Sequence, residues 1–142
     1  MQTRPLSERR FFQQFLSDFY GMRRALWGRR ADAWQPPTDV YETDRHIVVK
    51  MSIPGVKPGQ IRVHCNGEVI TITGVREGPD PAEVRSYHQM EIRNGYFERS
   101  IAIHEPFDPR EAHAQYVDGF LYVSIPKAPE SVRHVVSIRL GV

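Results

Sequence analysis

The pair Pro36-Pro37 divides the chain into two kinds of sequence, and that division limits the fold more than any other feature. Consecutive prolines lack backbone donors and fix φ, so neither a helix nor a central strand runs through them. Before them, apolar residues recur at helical spacing. Phe11, Phe15 and Phe19 stand four apart, with Phe12, Leu16 and Tyr20 on the adjoining stripe. This pattern predicts an amphipathic helix with Ser7 as its cap and Gly21 as its stop. After the prolines the period falls to two. Ile47, Val49 and Met51 alternate with His46, Lys50 and Ser52, and Ile61, Val63 and Cys65 with Arg62, His64 and Asn66. Ile70 and Ile72 alternate with Thr71 and Thr73, and Leu121, Val123 and Ile125 with Phe120, Tyr122 and Ser124. Turn pairs close these runs, among them Pro54-Gly55, Asn94-Gly95 and Asp118-Gly119. Asn66-Gly67 is the strongest hairpin signal.

Roughly six to eight such strands, with no helical pattern between them, predict an all-β fold. The expected architecture is an immunoglobulin-like antiparallel β-sandwich, and the lack of helices between strands argues against a parallel α/β sheet. Pro126 and Pro129 end the last of these strands. Past a polar stretch, Val136, Ile138 and Leu140 alternate with Ser137 and Arg139, a strand pattern standing alone. It needs an edge or a groove, and two placements are open: a neighbouring subunit, or the edge of its own domain. The expected division is an arm over 1–33, a sandwich over 34–128 and an extension over 129–142.

Composition excludes several classes of function. At 142 residues and 40% apolar, the chain buries a real core. No run approaches the roughly 18 apolar residues of a membrane span. Cys65 is the single cysteine, so a disulfide framework or a zinc finger is excluded. Net charge is +2, too balanced for a chain that lives on nucleic-acid phosphates. The charge is uneven, however: residues 1–33 hold seven arginines against Glu8, Asp18 and Asp32. The aromatics there keep helical spacing rather than forming a stacking platform, so no specific nucleic-acid partner is expected. The acids inside the segment argue against a transit peptide, and no charged start leads into an apolar block. Cytoplasm is the expected location.

Catalytic patterns are missing as well. There is no GxxxxGK loop and no glycine-rich dinucleotide turn. The six histidines show no HExxH, and His46 and His64 fall on the polar phase of their strands, where solvent exposure is expected. Cys65 falls on the inward phase, which predicts a buried structural thiol. Acidic residues are scattered through turns. No enzyme activity, metal or cofactor is therefore expected. Arg99 shares its phase with Phe97 and Ile101, so a cation points at an otherwise apolar face. The aromatic arm needs a cover for its apolar side, either its own assembly or other apolar surfaces.

The stretch Trp34–Lys127 resembles the α-crystallin domain of the small heat-shock proteins, bacterial type. Ile53-Pro54-Gly55-Val56 is similar to that family's LPGV turn, and Ile70-Thr71-Ile72-Thr73-Gly74-Val75-Arg76 to its LTIxGxR strand. Tyr87–Glu91 and Gly95–Ile103 resemble the two strands that follow. Ala114–Leu121, with Gly119, resembles the AxxxxGxL signature, and Val136-Ser137-Ile138 the IxI anchor. His104 stands where the family usually carries proline, and Phe120 where it carries a small aliphatic residue.

The resemblance implies an ATP-independent holdase that binds partly unfolded proteins and prevents their aggregation. The alternative is a co-chaperone or scaffold sandwich with one defined partner. Non-native clients would meet Phe11, Phe12, Phe15, Leu16, Phe19 and Tyr20. Self-association into a dimer would use Tyr87, Met90, Glu91 and Arg99 on and beside an exchanged strand over 84–92. Val136, Ile138 and Leu140 would anchor a larger homo-oligomer.

Overall fold

A computed structural model of the chain describes residues 33–130 and 134–141. The expected arm over 1–33, with its client-binding Phe11, Phe12, Phe15, Leu16, Phe19 and Tyr20, lies outside the described residues except for Ala33. Alternation becomes strand throughout the remainder: β1 (Thr38–Glu42), β2 (His46–Ser52), β3 (Ile61–Asn66), β4 (Val69–Arg76) and β5 (Gly95–Ala102). β6 (His113–Val117), β7 (Phe120–Pro126), β8 (Val135–Ile138) and β9 (Leu140–Gly141) follow. They form two sheets, one ordered β1-β2-β7-β6-β9 and the other β5-β4-β3-β8. All pairings of named strands are antiparallel except the short parallel contact of β6 with β9. The fold is the expected β-sandwich.

Every inward triplet predicted from the period is excluded from solvent. Ile47, Val49 and Met51 on β2 and Leu121, Val123 and Ile125 on β7 lie in the same core as Ile61, Val63 and Cys65 on β3 and Ile70 and Ile72 on β4. Each such side chain contributes about 1.5–3 kcal/mol when fully buried, which fixes which face of each strand points inward. Phe97 completes the layer from β5, with Trp34 edge-on to its ring at 5.6 Å. Trp34 also bridges the outer edge of β5. Its N–H donates to the Tyr96 carbonyl at 3.1 Å, and its own carbonyl accepts from Glu98 at 3.2 Å.

The two tightest hairpins show why glycine stands where it does. Val117 pairs with Phe120 across Asp118 (φ 51°) and Gly119 (φ 82°). Two successive left-handed residues are what a mirror-image hairpin turn requires, so Asp-Gly suits it. A Cβ on Gly119 would lie 2.9 Å from the Pro54 ring and 3.0 Å from its Cα, so this turn also packs against the Pro54-Gly55 turn. At the other hairpin Asn66 still pairs with Val69, and the loop is Gly67-Glu68 rather than Asn66-Gly67. Gly67, at φ 63°, takes the first loop position, where its freedom is needed.

The chain departs from the expected layout in two places. The sandwich was expected to end at 128, yet residues 135–141 add β8 and β9 to its sheets. No strand forms between β4 and β5, although Tyr87–Glu91 resembles a strand in sequence. β4 and β5 pair directly from Arg76↔Gly95 to Val69↔Ala102, which leaves residues 77–94 as a connection without a partner edge.

Candidate functional site

Two surfaces on this scaffold carry the residues singled out in the sequence. The first is the long connection itself. Tyr87, Met90 and Ile92 are 51%, 67% and 70% exposed, an unusual concentration of large apolar side chains in water. Glu91 is exposed among them and accepts from the Gln89 side chain at 2.7 Å. A second apolar edge stands elsewhere on the sandwich. β1 is the outer strand of its sheet, bonded only to β2, and shows Val40 and Tyr41 at 48% and 44% exposure. An edge strand of this kind presents unpaired backbone groups to any extended segment.

Arg99 is half-buried on β5, opposite Ile72 and between Phe97 and Ile101, so its side chain takes the inward phase as expected. The ion pairs among the described residues are Lys57–Glu77, Arg110–Asp108 and Lys127–Glu42, and none includes it. The Arg110 guanidinium, hydrogen-bonded to Asp108, holds that carboxyl below its ordinary range and pins the turn before β6. Lys57 and Gln60 do the same to Glu77 at the start of the long connection.

The second surface is the groove between the sheets where the tail lies. β8 runs antiparallel to β3, with Val136 opposite Cys65 and Ile138 opposite Val63. Val136 and Ile138 are buried, and Leu140 packs on the core while β9 pairs with Ala114 and Gln115 of β6. One short segment thus closes an edge of each sheet. Of the two placements open in the sequence, the single chain takes the edge of its own domain. His64, expected to be exposed, is half-buried instead, on a strand paired on both sides, with Thr71 opposite on β4 and Ser137 opposite on β8. His46 is half-buried too.

Cys65 is fully buried, and burial pushes its thiol up to about 11, the reverse of what a nucleophile needs. Among the described residues no group of three His, Cys, Asp or Glu is placed to hold a metal ion, and no helix is long and apolar enough to cross a membrane. Sequence reasoning missed two features. One is the open β1 edge with Val40 and Tyr41, whose exposure follows only from strand order. The other is a clasp around Arg76, whose partners at positions 54 and 93 are distant in sequence.

The profile of the Hsp20/alpha crystallin family matches residues 39–140. The chain belongs to that family. Small heat shock protein C2 of Rickettsia felis is 26% identical over 104 residues, covering 73% of this chain and 68% of that protein. Heat shock protein 16 of Schizosaccharomyces pombe is 30% identical over 117 residues, covering 81% and 82%. Among solved structures, hspA of Xanthomonas axonopodis superposes with a TM-score of 0.63 at 31% identity, covering 69% of this chain and 98% of that one. A chaperone-family role follows for this chain.

Proposed function

We propose that this small heat-shock protein is an ATP-independent holdase of the cytoplasm that captures partly unfolded proteins and keeps them soluble. One observation carries the reading: a sandwich with a complete core still exposes Tyr87, Met90 and Ile92 beside an acidic residue on a connection without a strand. A folded domain gains nothing internally from such exposure, whereas a subunit contact covers it. Segment 84–92 then adds a strand to the open β1 edge of a second copy, and Arg99 meets a carboxylate across that contact. The arm, with Phe11, Phe12, Phe15, Leu16, Phe19 and Tyr20, covers apolar surface on clients. Binding the unfolded state shifts the equilibrium without fuel. Val136, Ile138 and Leu140 exchange from their own groove into a neighbour's to build larger assemblies.

One observation favours the alternative, an adaptor with a single defined partner. The tail satisfies its own groove, so a monomer has no loose anchor. The two readings separate when a heat-destabilised enzyme is warmed with the chain and passed over a sizing column. The expected result is client co-eluting with the chain in a soluble high-mass fraction, and loss of that fraction when residues 1–33 are removed. Client in the pellet and chain eluting alone, across several unrelated clients, contradicts the holdase.

A further inference from the structure

Arg76 closes β4 in register with Gly95, the first residue of β5, so it stands where residues 77–94 leave and re-enter the sandwich. Its side chain touches both sides of that opening. Nε and Nη2 donate to the Arg93 carbonyl at 2.9 and 2.5 Å, and Nη1 donates to the Pro54 carbonyl at 3.3 Å. The guanidinium lies over the Trp34 ring, 4.4 Å from its centroid, while the Trp34 indole N–H donates to the Gly95 carbonyl at 3.3 Å. One planar cation therefore gathers the Pro54 turn, the return of the connection and Trp34.

Inside the connection nothing comparable exists. Ala82 and Glu83 donate to Asp80, and Gln89 donates to Glu91, all within three positions of one another. Its course is thus set at its two ends, by Glu77 on Lys57 and Gln60 and by Arg93 on Arg76. The first of these lies among exposed side chains and is worth little. The second uses a rigid fork whose two donors converge on one carbonyl oxygen, together with a stacking face, which lysine cannot reproduce.

We propose that Arg76 is the positioning residue of the subunit contact, holding the return of the 77–94 connection against the Pro54 turn so that Tyr87, Met90 and Ile92 are presented together to a second copy of this chain. The proposal rests on the reading of that connection as the contact. β4 and β5 keep seven further register pairs without Arg76, so assembly depends on it more than folding does.

The test compares the full chain with Arg76→Met, Arg76→Lys and a deletion of 84–92. Sedimentation over a dilution series gives the concentration of half-dissociation, and amide exchange gives protection in 77–94 and in β2, β3 and β7. Arg76→Met keeps an apolar stem and removes both the donors and the cation over Trp34. It is expected to weaken self-association about tenfold or more, the scale of lost hydrogen bonds from a charged donor. It should also strip protection from 77–94 and leave β2, β3 and β7 unchanged, with Arg76→Lys in between. Unaltered association in Arg76→Met overturns the proposal. So does protection lost throughout the sandwich, which makes Arg76 a folding residue only. If the deleted chain associates like the parent, the connection is not the contact, and the Arg76 proposal falls with that reading. If the deletion abolishes association while Arg76→Met does not, the proposal alone fails.

Discussion

Gly74→Val is expected to remove about 3 kcal/mol or more from the stability of the sandwich, at or beyond the upper end for overpacking a core. A Cβ at position 74 would collide with the Phe97 ring on one side and stand 2.7 Å from the Gln60 carbonyl oxygen on the other. Neither neighbour yields easily. Phe97 is fully buried and held edge-on by Trp34, and the Gln60 oxygen is backbone in the short 3-10 turn Pro58–Gln60. For a domain of this size each kcal/mol corresponds to several degrees of melting temperature, so the midpoint should fall by about 10 °C or more. Gly59→Ala is the control, because nothing lies within 4 Å of a Cβ there. It should stay within about 0.5 kcal/mol of the parent. Circular dichroism melts of the three proteins decide the matter, and a Gly74→Val midpoint within two or so degrees of the parent contradicts this packing.

The double substitution Val136→Gly with Ile138→Gly is expected to break large assemblies down to their smallest stable unit. Burying these two side chains contributes about 3–6 kcal/mol gross. Ordering the four residues Val135–Ile138 costs about 1–2 kcal/mol each in backbone entropy, so the two terms nearly cancel. A strand held so weakly on its own β3 leaves it readily, and the same groove on a neighbour accepts it with the same contacts. One tail is a weak tether, while many tails in one assembly act together. Analytical ultracentrifugation of the variant should therefore show the small unit where the parent shows a broad, larger species. An unchanged size distribution would mean that the tail serves only the domain that carries it.

The residues that sequence alone placed correctly are those whose phase and burial are tied together. Ile47, Val49 and Met51 are legible because a strand of period two buries alternate residues and nothing else satisfies that pattern. Gly119 is legible because Asp-Gly before Phe120-Leu121 asks for two left-handed residues. Gly74 is not, since its reason lies in Phe97, more than twenty positions on, and in a carbonyl of a different segment. The tail is half legible. Val136 and Ile138 read as a strand, but an edge pairing is a property of the two strands together, so its place on β3 appears only in three dimensions. His64 is not legible for the same reason, because the pairing of β3 with β8 turns a polar-phase position on an edge into one on an inner strand. Segment 84–92 shows the complement, a strand-like sequence that stays irregular where no partner edge meets it.

Client protection without fuel is the central claim, and light scattering of a heat-aggregating enzyme tests it most directly. The enzyme is heated alone, with the full chain, and with the chain lacking residues 1–33, all in the absence of nucleotide. The account predicts that the full chain at about equimolar ratio suppresses most of the scattering, that added ATP changes nothing, and that the truncated chain suppresses far less. Scattering as strong with the full chain as without it, for several clients, would contradict the account.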